Sequence, residues 1–388
     1  MRLISMLVLL NACAPAGPRS IAAPAPPAIR SDTALARRID SVVTALLPAR
    51  LIPGAAVAVI RHDTLVYAAG FGVASLATGA PVSAGTVFQI ASLTKPFTAM
   101  AILMLVEEGK VALDDPAARY LSWLPAKYAQ VTVRQLLTHS SGVNPDMRRE
   151  NIDEFDVAEF RRRLEERPVS FSPGTNVQYA NSGFTLLAFI VEAASGEEFG
   201  QYLKRRIFGP LGMKNAGYRV QRQADASHAR GYELVSGRLV EAPHVFSGWG
   251  NSGIEASVLD IARFAAALER RALLRSATYD QMYTPARLAN DSLPKFRSNG
   301  VSTQFGLSWF LTSYRGAELV SHGGAVAGFS SMLDRFVRDG WTIIVLSNAK
   351  QGADRLSQAS AIARSIADLV GLRVSSNATA NQVARLPE

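Results

Sequence analysis

Apolar residues recur at helical spacing from Asp32 to Leu47, and the period then changes to that of strands. AAVAVIRHDTLVYAAGFG reads as a hairpin, with β-rich runs on either side of His62-Asp63. In FQIASLTKPFTAM, at positions 88–100, a strand-like segment gives way to an apolar helix that runs to Glu107, with Gly109 as its C-cap. From about Asp114 to Phe246 the spacing is mainly helical. TVRQLLTHSSG is a short helix with Gly142 near its end, ANSGFTLLAFIVEAASG stops at Gly196, and EEFGQYLKRRIFGPLGM stops at Gly209-Pro210. Beyond Gly300 strands return in QFGLSWFLTSY, AELVSH, GFSSMLDRFV and GWTIIVLSN, and SQASAIARSIADLVG closes as a helix. Short sequential strands flanked by helices predict an α/β protein of the α+β type. Its antiparallel sheet is flanked by helices, with a mainly helical region, about 114–246, inserted in the α/β part.

Composition divides the chain into a leader and a folded part. With 388 residues, 48% of them apolar, there is ample material for a large core in residues 31–388. Residues 1–30 are of a different kind. Arg2 precedes the apolar run LISMLVLL, which is too short to span a bilayer and reads as a secretory signal. The run ends in LNAC, and Cys13 is the only cysteine, so no disulfide can form within the chain. The segment resembles a bacterial lipoprotein signal, which implies cleavage before Cys13 and lipidation of its thiol; ordinary signal cleavage slightly later is the alternative. Pro and Ala then dominate up to Ile29, as in a semi-rigid tether. The expected location is therefore the cell envelope, with membrane attachment through the anchor. The net charge of +9 is spread along the chain, and RRR at 161–163 lies among acids, as on a solvated helix face and not a nucleic-acid stripe.

Three clusters carry candidate chemistry. Ser92 and Lys95 are three residues apart at the head of an apolar helix, so hydroxyl and amine share one face. The partial positive charge of a helix N-terminus, together with burial, favours the neutral amine, and a serine beside it is an activated nucleophile. Tyr179 and Asn181 lie in PGTNVQYANSG, just before a helix. A phenol near a lysine can relay protons, and Asn181 offers an amide to substrate or lysine. Packing of Tyr179 on that helix and capping by Asn181 are the structural alternatives. His322, Gly323 and Gly324 follow the strand AELVS, where glycines allow close backbone approach. A backbone N–H near Ala325, paired with that of Ser92, can form an oxyanion hole. His322 as a strand-end residue with local hydrogen bonds is the alternative there. Other chemistries fit poorly. There is no G-x-S-x-G elbow, and His62, His139, His228, His244 and His322 are scattered without metal-ligand spacing. His139 reads as structural. No metal or other cofactor is expected.

Together these motifs resemble the serine β-lactamase and penicillin-binding superfamily, in its class C β-lactamase, D-aminopeptidase and family VIII esterase branch. FQIASLTKPFTA looks like the nucleophile motif S-x-x-K, QLLTHSSGV like LLTHTSGL, PGTNVQYANSGF like the Y-x-N region, and GPLGM and HGGAVAGFSS complete the order. The resemblance spans about residues 35–370. It implies a β-lactamase/transpeptidase-like fold, Ser92 as acyl-accepting nucleophile, Lys95 and Tyr179 as coupled base and proton relay, and Asn181 as a substrate-orienting group. It also implies oxyanion N–H groups from Ser92 and Ala325. His322-Gly323-Gly324 stands where β-lactamases usually carry Lys-Thr/Ser-Gly, which implies weak lactam hydrolysis. Asn251-Ser252-Gly253 departs from the usual Gly-Gly-apolar turn. The expected activity is that of an exported serine hydrolase acting on a small ester, a peptide or a cell-wall fragment. A catalytically inactive binding protein of the same fold and a slow transpeptidase are the alternatives.

Overall fold

The computed structural model describes residues 28–144, 157–218, 227–244, 249–294, 296–298, 301–350 and 357–373. Residues 1–27, Cys13 among them, lie outside these, whereas Ile29 and Arg30, expected at the end of the tether, form a strand. In chain order the strands are β1 (Ile29–Arg30), β2 (Gly54–Arg61), β3 (Thr64–Gly72), β4 (Val87–Gln89), β5 (Gly217–Tyr218), β6 (Tyr232–Val235), β7 (Arg238–Glu241), β8 (Ile254–Ser257), β9 (Phe296–Ser298), β10 (Val301–Phe305), β11 (Phe310–Tyr314), β12 (Ala317–Val326), β13 (Phe329–Phe336) and β14 (Trp341–Ser347). The helices are α1 (Thr33–Ala49), α2 (Lys95–Glu107), α3 (Val133–Leu137), α4 (Val157–Glu166), α5 (Asn181–Ser195), α6 (Phe199–Leu203), α7 (Val258–Glu269), α8 (Ser276–Met282) and α9 (Gln358–Ala367).

The expected hairpin at His62-Asp63 forms as β2 and β3, and the C-terminal strands pair in sequence beside it. The joint is β14 against β2, from Trp341↔Arg61 to Ser347↔Ala55, which welds the two ends of the chain into one sheet. The order is β1-β3-β2-β14-β13-β12-β11-β10-β9, nine strands, every pair antiparallel. The near-continuous apolar sequence of the central strands follows from both faces being covered. Along β2, Ala55, Val57 and Val59 face one core, which they share with Leu35, Ile39 and Val43 of α1 and Ile362 and Ile366 of α9. Their neighbours Ala56, Ala58 and Ile60 face the other core, with α2, α5 and α7.

The chain between β3 and β9 adds no strand to this sheet. It carries α2 through α8, but also a three-stranded sheet, β4-β8-β5, and the hairpin β6-β7. β4 is the strand-like segment expected before α2, whereas β5, β6 and β7 were not foreseen in the region 114–246, expected to be mainly helical, nor was β8 beyond it. QFGLSWFLTSY, expected as one strand, is two, because the chain reverses through Gly306–Trp309, with Ser308 at φ +75°. The basic run 161–163 lies on α4, where Arg162 pairs with Glu159 and Glu166 and Arg163 with Glu159. Arg161 sits over the Trp123 ring at 4.2 Å. No helix among the described residues is long and apolar enough to cross a membrane.

Candidate active site

β4 delivers the chain to a one-turn 3-10 helix, Ala91–Thr94, from which α2 continues. Ala91 holds φ +49°, a left-handed conformation that a residue with a Cβ adopts only at a cost, so this turn is locally strained. Pro96 near the start of α2 carries no N–H to be left unsatisfied and presets the helical φ. α2 is apolar all round and buried from Lys95 to Leu105, as befits a helix through the centre of a domain.

This placement puts Lys95 wholly inside the protein, at 0% exposure, while Ser92 on the turn before it stays partly exposed. Lys95 Nζ lies 3.0 Å from Ser92 Oγ. It donates to Asn181 Oδ1 at 2.9 Å and to the Asn251 backbone oxygen at 2.9 Å. Asn181 is the first residue of α5, and Ala180 occupies the cap position with no side-chain capping bond. The capping alternative for Asn181 is therefore excluded; its amide is spent on the lysine. Asn251 was noted in the sequence only as a departure from a motif. In the structure its segment closes over Lys95 and is fastened on several sides. Thr98 Oγ1 donates to Gly250 O at 2.6 Å, the Tyr218 hydroxyl accepts from Gly250 N–H at 2.9 Å, and Asn251 Nδ2 donates to Thr185 Oγ1 at 2.9 Å. Gly250, at φ +69°, is needed here, since a Cβ would lie 2.5 Å from Ala188 Cβ and 2.6 Å from Phe184 O.

Tyr179 enters from the loop before α5, with its ring centroid 4.8 Å from Lys95 Nζ. It does not pack on α5 alone, because His139 lies 4.5 Å away on one side and Phe310 is stacked at 5.9 Å, with ring planes 13° apart. His139 is the residue whose importance sequence reasoning understated. It sits at φ +59° just after α3, and its Nδ1 accepts the Ala180 N–H at 3.1 Å, which clamps the backbone between Tyr179 and Asn181. That bond places the imidazole proton on Nε2. Burial above all pushes the pKa of His139 well below its ordinary value, so the clamp is neutral.

His322, Gly323, Gly324 and Ala325 do not follow a strand, as expected, but lie inside one. β12 runs on to Val326, held by β13 from Val320 to Val326. β11 pairs with it only as far as Ser321. Among the described residues the remaining length of β12 has no β-partner on that edge, and Gly324 within it lies against the Ser92 turn. A Cβ on Gly324 would be 2.3 Å from Ile90 O and 2.8 Å from Ser92 N, so only glycine admits the two backbones to this approach. Ser331 of β13 secures the turn, its hydroxyl donating to Ile90 O at 2.7 Å. His322 is buried, and Nδ1–H donates to Gly323 O at 2.8 Å. Burial above all takes its pKa down to about 3 against the opposing effect of that hydrogen bond. The ring is neutral at any physiological pH.

Ser92, Lys95, Tyr179, Asn181 and the segment 322–325 are thus gathered around one short stretch of exposed backbone. Asn181 Oδ1 and Asn251 O, oxygens that can only accept, hold two of the Lys95 N–H groups, so the remaining position on Nζ faces the Ser92 hydroxyl. Among the described residues no cluster of three His, Cys, Asp or Glu could hold a metal ion.

Known proteins share this arrangement of chain. A penicillin-binding protein of Bacillus subtilis (strain 168) is 31% identical over 313 residues, 75% of this chain and 67% of its own. Esterase EstB of Burkholderia gladioli is 35% identical over 213 residues, half of this chain and 54% of that protein. The octameric penicillin-binding protein homologue from Pyrococcus abyssi superposes with a TM-score of 0.74 at 27% identity, covering 87% of this chain and 77% of that one. The sequence profile of the Beta-lactamase family matches residues 39–367, and the chain belongs to that family.

Proposed function

We propose that this protein is an exported serine hydrolase that cleaves an ester or amide through an acyl-Ser92 intermediate. The observation that carries the reading is the fully buried Lys95 held 3.0 Å from a partly exposed Ser92 by two fixed oxygens. Membership of the family, and relatives named as an esterase and as penicillin-binding proteins, support it.

In the reaction Ser92 Oγ attacks the substrate carbonyl carbon while its proton passes to the Lys95–Tyr179 pair. The carbonyl oxygen, now negative, is received by the N–H groups of Ser92 and Ala325 across the open edge of β12. The same pair returns the proton to the departing alcohol or amine as the carbon–oxygen or carbon–nitrogen bond breaks, leaving acyl-Ser92. Water then adds to the acyl carbon, losing its proton to the pair, and Ser92 leaves with that proton. Asn181 and the Asn251 carbonyl keep the amine aimed throughout.

The test is intact-mass analysis of protein lacking residues 1–30 after treatment with a fluorophosphonate, alongside turnover of a short p-nitrophenyl ester. One adduct on Ser92 is expected, with ester turnover abolished in Ser92→Ala and lowered about 10²–10⁴-fold in Lys95→Ala and in Tyr179→Phe. Folded protein that takes no adduct would make it a binding protein instead. Acyl transfer to an added amine in preference to water would make it a transpeptidase. The same reading places the enzyme at the envelope on a lipidated Cys13; full-length protein expressed in bacteria should incorporate labelled palmitate, and Cys13→Ser should not.

A further inference from the structure

The proton relay is not an isolated phenol but one end of a wall of aromatic rings. Phe310 stacks on Tyr179 at 5.9 Å and lies 5.2 Å from the His322 ring. Phe305 follows at 5.3 Å from Phe310, and Phe296 at 4.8 Å from Phe305. Phe305 is buried, whereas Phe310 and Phe296 keep part of their rings exposed. Phe310 also marks a topological boundary. It pairs with Ser321, the last β12 residue that β11 covers, so its ring stands where the open edge of β12 begins.

The direction of departure follows from the proton. Whichever group leaves must take its proton from the Lys95–Tyr179 pair, so it exits past Tyr179 and meets Phe310 next. The faces it meets are apolar and carry the negative side of the ring quadrupole, and His322 beside them is neutral. A carboxylate set against these faces gives up its hydration, while a ring or alkyl chain is removed from water.

The geometry points to Phe310 as the seat of an uncharged apolar leaving group, which assigns the site to esters of aryl-alkyl and alkyl alcohols and their neutral amide counterparts. This inference rests on the hydrolase reading above and narrows its substrate.

The experiment compares methyl, benzyl and 4-carboxybenzyl acetates, whose alcohols differ little in acidity, so that departure chemistry is matched and only the seat differs. In the wild-type enzyme kcat/KM for benzyl acetate should exceed that for methyl acetate by about tenfold or more, and 4-carboxybenzyl acetate should lose most of that gain. Phe310→Ala should bring the benzyl-to-methyl ratio to within about threefold of unity, and Phe310→Leu should restore part of it. Should the variants not fold, the wild type suffices: benzyl alcohol should slow fluorophosphonate labelling of Ser92 at a lower concentration than methanol or 4-(hydroxymethyl)benzoate. A ratio near unity in the wild type, a ratio unmoved in Phe310→Ala, a carboxylate accepted as well as benzyl, or selectivity that follows only the acyl group each overturns the inference while the hydrolase reading stands. Failure to turn over any ester or label Ser92 would remove the hydrolase reading and this inference with it.

Discussion

Lys95 Nζ has three positions besides its carbon stem, and its neighbours decide which one faces the serine. Asn181 Oδ1 and Asn251 O each fix one N–H at 2.9 Å. Asn181→Ala removes one of these holders without touching Ser92. The expected result is a fall in kcat of about 10- to 100-fold with KM changed less than about threefold, measured on a short ester. Equal losses in binding would instead assign Asn181 to the substrate. The two buried histidines make a second prediction at this scale. Both have folded-state pKa values depressed below the ordinary 6.5, His322 to about 3. The unfolded chain therefore binds these protons first. Neither costs stability above about pH 6.5; below it stability is lost as pH falls, at up to about 1.4 kcal/mol per pH unit for each histidine, for His322 down to about pH 3. In urea unfolding between pH 7.5 and 4.5, His322→Gln should show a shallower loss of stability than the wild type. Parallel curves would mean that His322 titrates in the fold as it does outside it. Ser92, Lys95, Tyr179 and Asn181 were all visible in the sequence because each lies in a short motif. The roles of His139 and Asn251 were not, since one acts through a ring nitrogen on a distant N–H and the other through a backbone oxygen.

Two elements meet to make the site, the 3-10 turn Ala91–Thr94 and the unpaired length of β12, and their contact is set by a missing side chain. Gly324→Ala would place a Cβ 2.3 Å from Ile90 O and 2.8 Å from Ser92 N, against backbone on both sides. Gly323→Ala would meet the tip of Met332 at 2.9 Å, the flexible end of a side chain, with backbone no nearer than Ser331 O at 3.2 Å. Activity on a short ester should therefore drop by about 10²-fold or more in Gly324→Ala, through displacement of the oxyanion donors, and by less than about tenfold in Gly323→Ala. Comparable losses in the two variants would show that the approach of the backbones is not what matters. Sequence pattern located AELVSH as a strand but ended it early, because the glycines of HGGA resemble a turn. They are strand residues stripped of side chains to let another segment come close.

Across the whole molecule, the large sheet separates two cores that serve different ends. The core beneath α1 and α9 holds the first and last parts of the chain together, with Ile39 and Ile362 at 0% exposure within it. The core on the other side holds α2, which carries Lys95, and α5, which begins with Asn181. Ile39→Ala should cost about 2–4 kcal/mol in denaturant unfolding. It should leave kcat/KM for a short ester unchanged, because Ile39 lies on the face of the sheet opposite α2; a parallel loss of activity would couple the two faces. The sequence by itself determined the α+β class, the β2–β3 hairpin, the central apolar helix and the nucleophile motif, because these depend on local periodicity and on residues a few positions apart. Only the tertiary structure decided that β14 pairs with β2, that β11 stops at Ser321 and leaves β12 open, and that the residues around Asn251 close over Lys95. These are contacts between segments far apart in the chain. Each is chosen by how the two cores fill and how backbone polar groups find partners, which no local pattern encodes.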